Sequence, residues 1–87
     1  MKVLEIKDIV RKDVPIYYRR LFTGTAVLEI LDKAMERRIE FTIETKPTGA
    51  RETKVSMIDS LDYPLVPVIK ELKDFISGMD RSGALPC

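Results

Sequence analysis

The chain has 87 residues, 45% hydrophobic and 33% charged, with a formal net charge of +1 and no histidine. A chain this short buries only roughly 60–65% of its unfolded surface, so it makes one domain with one modest core, and its composition excludes a disordered polymer. The near-neutral balance excludes a protein drawn as a whole to nucleic acid or acidic lipid, and no apolar run approaches the length of a bilayer-spanning helix.

In chain order, residues 2–10 (KVLEIKDIV) set Leu4, Ile6 and Val10 on alternate positions and predict a first strand, with Asp8 as the exception. Pro15 then forces Val14 into an extended conformation and ends it. Residues 16–22 (IYYRRLF) are aromatic and β-branched and predict a second strand, with Thr23-Gly24 as a tight turn after it. Residues 25–37 fit two patterns. On a helical wheel Ala26, Ile30, Ala34, Val27, Leu31, Met35 and Leu28 cover one arc, opposed by Glu29, Asp32, Lys33, Glu36 and Arg37. A helix ending at Arg37, however, has no glycine cap and no exit loop before the strand of residues 38–45, in which Ile39, Phe41 and Ile43 alternate with Glu40, Thr42 and Glu44. The missing loop favours a strand over Thr25–Leu31 with a turn over Asp32–Arg37, the helix being the alternative.

Residues 46–51 (KPTGAR) predict a hairpin loop, with Pro47 at the first corner and Gly49 at the fourth position of a type I turn. Residues 52–58 return as a last strand. Residues 60–80 predict an amphipathic helix: Val68, Ile69, Leu72, Phe75, Ile76 and Met79 form a stripe opposite Lys70, Glu71, Lys73 and Asp74. Pro64 and Pro67 fall near its first turn, and Asp59 and Asp62 are placed to stabilise its positive end. The expectation is an α+β domain over residues 1–80, an antiparallel meander of about five strands with one C-terminal helix, followed by a flexible tail at 81–87. One helix covers one face of such a sheet at most, which points to a second copy over the other.

Chemistry is sparsely marked. Without histidine there is no ordinary general base near neutral pH, no Ser-His or Cys-His nucleophile and no imidazole ligand, and the single cysteine, Cys87, permits no internal disulfide and no thiolate cluster. Glu40 and Glu44 are two steps apart on one strand face, a spacing that solvated strand carboxylates also show. No catalytic residue, metal or cofactor is expected. Charge is uneven along the chain: residues 1–20 hold six basic and three acidic groups, residues 21–45 three and five. The candidate contacts for nucleic acid or another anion are Arg11, Lys12, Tyr17, Arg19, Arg20, Lys46 and Arg51. Strand alternation sends Arg19 and Arg20 to opposite faces, so only one of them can share a stacking surface with a tyrosine. Lys46 and Arg51 flank the hairpin loop and could hook an anion with the help of turn amides. The reading that follows is a small, non-enzymatic, cytoplasmic binding domain acting as a homodimer, with some other protein as a further possible partner and no role at a membrane. The alternative is a nucleic-acid-binding domain using Lys2, Lys7, Arg11, Lys12 and one of Arg19 and Arg20.

Overall fold

The computed structural model describes residues 1–13 and 18–86. Strands β1 (Lys2–Lys12), β2 (Arg19–Ile30), β3 (Lys33–Thr45) and β4 (Arg51–Met57) form one antiparallel meander in that order, followed by helix α1 (Leu65–Ser82). The α+β meander is as expected, but the strands number four. Part of the expected second strand, at Ile16 and Tyr17, lies outside the described residues, as does Cys87.

The count differs because Thr23-Gly24 is no turn. Both residues lie within β2, Thr23 paired with Val10 and Glu40, and Gly24 with Ile39. The glycine serves close packing: a Cβ there would meet Ile6 Cγ2 at 3.2 Å and Ile9 Cγ1 at 3.3 Å. Gly24→Val is therefore expected to cost about 1–3 kcal/mol through overpacking, measured as a lower midpoint in urea. On the facing strand the register shifts between Lys7 and Val10, where Asp8 has φ 54°, so the residue that broke the alternation marks a bulge.

Residues 25–37 are extended, not helical. Thr25–Ile30 pairs residue for residue with Lys33–Arg38, and the reversal is the two-residue turn Leu31-Asp32, with φ 52° and 62°. Positive φ at both central residues is the I′ geometry that matches strand twist, normally carried by Asn-Gly. The turn expected over Asp32–Arg37 is thus β3 from Lys33 onward.

Alternation then builds the core. Phe22, Ala26, Leu28 and Ile30 of β2 share a face with Ile39, Phe41 and Ile43 of β3, and all are buried. Phe22 and Phe41 are cross-strand partners with ring centroids 5.0 Å apart and planes 18° apart. Helix α1 places Val68, Leu72 and Ile76, a strict i+4 series, against this face. It meets both edge strands, β1 and β4, so the sheet curls around the helix. The argument for a second copy over a bare inner face therefore falls away.

The helix ends follow local rules only in part. Pro64 occupies the N-cap without a side-chain bond, and Asp59 and Asp62 do not cap. Asp59 instead accepts from the Arg38 backbone N–H at 2.9 Å and pairs with its guanidinium, fixing the loop after β4 against β3. At the other end Gly83 is left-handed, with φ 75°, and its N–H donates to the Asp80 carbonyl while Ala84 N–H donates to that of Met79. This Schellman pair turns the chain back so that Leu85 joins the core.

Candidate functional site

The pairing registers gather four of the seven candidate residues at one end of the sheet. Arg19 and Arg20 open β2, their cross-strand partners Glu44 and Ile43 lie near the end of β3, and Arg51 opens β4 opposite Thr45. A backbone bond of 2.8 Å from Thr45 N–H to the Tyr18 carbonyl holds the chain before β2 beside Lys46. Tyr18, Glu44, Thr45, Lys46 and Pro47 line an open depression of about 620 Å³ here. Tyr17 lies outside the described residues.

Each of the four cations faces a carboxylate. Arg19 donates to Glu44 at 2.9 Å, and Lys46 lies 3.3 Å from Glu52. Arg20 and Arg51 donate to the two oxygens of a single carboxylate, Asp80, each at 2.9 Å. The Asp80 side chain is only 8% exposed. Burial alone pushes its pKa up, but the hydrogen bonds from Arg20 and Arg51 outweigh that and hold it below the ordinary carboxylate value. In the same way the Lys46 ammonium, hydrogen-bonded to Glu52, lowers the Glu52 pKa. Asp80 thus ties the end of α1 to β2 and β4, and it was not among the residues singled out in the sequence.

The hairpin loop spends its amides internally. Lys46 N–H donates to the Ala50 carbonyl and Gly49 N–H to that of Lys46, both at 2.8 Å. Neither is available to an anion in this arrangement. Arg11 and Lys12 lie apart from the cluster, exposed at the end of edge strand β1, and no carboxylate among the described residues pairs with them.

The outer face of the sheet shows how the chain distributes charge. Cross-strand register puts Lys2, Lys7, Lys12, Arg19, Arg38 and Lys54 on that face together with Glu5, Glu29, Glu36, Glu40, Glu44 and Glu52, six of each sign. Lys7 and Glu36 meet at 2.8 Å, a hydrogen bond that raises the lysine pKa. Glu40 and Glu44 share this face, but Glu44 is held by Arg19. Among the described residues no three His, Cys, Asp or Glu side chains converge to hold a metal ion, and no helix is long and apolar enough to cross a membrane.

A short antiparallel meander curled around one C-terminal helix, with a charge-paired rim, defines a small α+β domain of mixed surface charge. The chain belongs to a protein family designated by a serial label, with no activity in its name, whose model matches residues 1–81. No curated protein and no solved structure matches it.

Proposed function

We propose that this protein is a non-enzymatic, cytoplasmic interaction domain that works as a homodimer. The observation that carries the reading is the contrast between paired charges and unpartnered aliphatics. The cations of the rim are spent on carboxylates of the same chain, whereas Leu31 is 88% and Val66 83% exposed, and Leu65 and Ile58 are about half exposed. Leu65 and Val66 adjoin Ile69 on one flank of α1, so part of this surface is contiguous. Contiguous exposed apolar side chains on a small domain mark contact surfaces.

The second reading, nucleic-acid binding, is favoured by Arg11 and Lys12, which are exposed and without a carboxylate partner among the described residues. Against it, an incoming phosphate at Arg19, Arg20, Lys46 or Arg51 must displace a carboxylate already in place. Fluorescence anisotropy with labelled single-stranded and duplex oligonucleotides at about 50 mM salt separates the two readings. The expected result is no saturable binding. Binding that falls steeply with salt and is lost in the Arg11→Ala, Lys12→Ala double variant would establish the second reading instead.

A further inference from the structure

The turn between β2 and β3 puts a leucine where leucine is a poor choice. Leu31 sits at φ 52°, in the left-handed region. That conformation costs an L-residue with a Cβ roughly 1–2 kcal/mol. Packing within the chain does not offset the cost, because the side chain is 88% exposed. The tip thus combines an apolar knob at Leu31 with a negative charge at Asp32 and a positive one at Lys33.

Helix α1 carries a feature of matching character. Leu65, Val66 and Ile69 form the apolar part of a shallow open groove whose remaining lining is Lys70, Lys73 and Asp74. The groove therefore has an apolar floor and charges of both signs at its side, two positive and one negative. The tip presents the complement: an aliphatic side chain followed by one carboxylate and one ammonium.

We propose that the Leu31-Asp32 tip of one protomer seats in the Leu65–Val66–Ile69 groove of a second copy of this chain. Leu31 packs on Leu65, Val66 and Ile69, Asp32 meets Lys70 and Lys73, and Lys33 meets Asp74. Each copy has one tip and one groove, so a two-fold axis exchanges them reciprocally and closes the dimer without leaving a free end for a filament. The inference rests on the homodimer reading and names its contact surface. It also accounts for a leucine held in a left-handed turn, since the residue is retained for what it does in the partner.

Sedimentation equilibrium on the full chain and three variants tests it. Leu31→Asn suits the turn better than the native residue and is expected to keep the native circular dichroism spectrum. Its dimer dissociation constant is expected to rise at least roughly tenfold, as for loss of an interface anchor. Val66→Glu places a carboxylate in the first turn of the helix, which favours the helix itself, yet it puts a charge on the groove floor and is expected to dissociate the dimer comparably. Asp32→Lys is expected to weaken association, and adding Lys70→Glu and Lys73→Glu to it should restore the native constant. If the native chain is a dimer and both Leu31→Asn and Val66→Glu associate as tightly as it does, this interface is wrong while the homodimer stands. A native chain that stays monomeric overturns both.

Discussion

Phe41→Ala is expected to destabilise the fold by about 3–5 kcal/mol, read from the urea midpoint at constant slope. Phe41 is 1% exposed, and its ring stacks at 5.0 Å on that of Phe22, which is fully buried. Truncation removes the transfer free energy of the ring and opens a cavity at the centre of the sheet. It also removes the aromatic contact, which contributes about 0.5–1.5 kcal/mol beyond the buried area. Strands β2 and β3 are paired along their whole length on either side of this position, so the backbone has little freedom to close the void. Small domains have only about 5–15 kcal/mol of net stability, so the variant should be partly unfolded near physiological temperature. Phe41→Leu keeps most of the volume and should lose under half as much. Equal losses in the two variants would mean that the ring is not packed as described.

Asp80→Ala is expected to cost about 2–3 kcal/mol at neutral pH, because it strands two arginines that now donate to one nearly buried carboxylate. The estimate stays below that for a fully buried ion pair because the Arg20 and Arg51 side chains remain 26% and 54% exposed. Its pH dependence follows from the lowered pKa of Asp80. A carboxylate whose pKa is lower folded than unfolded contributes its full stabilisation above the unfolded value, about 3.9, and loses it as pH falls through the folded value. The native chain should therefore lose stability below about pH 4, and the gap between native and Asp80→Ala should shrink over the same interval. Parallel acid limbs for the two proteins would show that Asp80 is not the carboxylate responsible.

The sequence disclosed the elements whose pattern is set by one face and one period. The alternation of Ile39, Phe41 and Ile43, and the i+4 series Val68, Leu72 and Ile76, identify β3 and α1 because each element buries a single face. The strand count was obscured by Gly24, which reads locally as a turn residue but is needed where β1 bulges against β2. The true turn was hidden for the converse reason, since Leu31-Asp32 lacks the Asn-Gly chemistry its geometry prefers. Residues 25–37 also fit a helical wheel, because Ala26, Leu28 and Ile30 on one strand face fall within a single wide arc. The Arg20–Asp80–Arg51 tie joins residues up to 60 positions apart, which no local pattern reveals. A trace of it was nevertheless present: Asp80 continues the buried i+4 series from Ile76, and Arg20 continues the buried parity of Phe22, Ala26 and Leu28. Two opposite charges on core-facing positions of different elements are candidates for each other.

The homodimer is tested most directly by the mass of the native chain in solution. Sedimentation equilibrium at micromolar concentration should give twice the 10.0 kDa chain mass, with an interface of at least ~1,000 Å² in total, the lower bound for a specific contact. A mass of 10.0 kDa throughout that range would contradict the account and leave a monomer whose exposed leucine and helix flank face some other molecule.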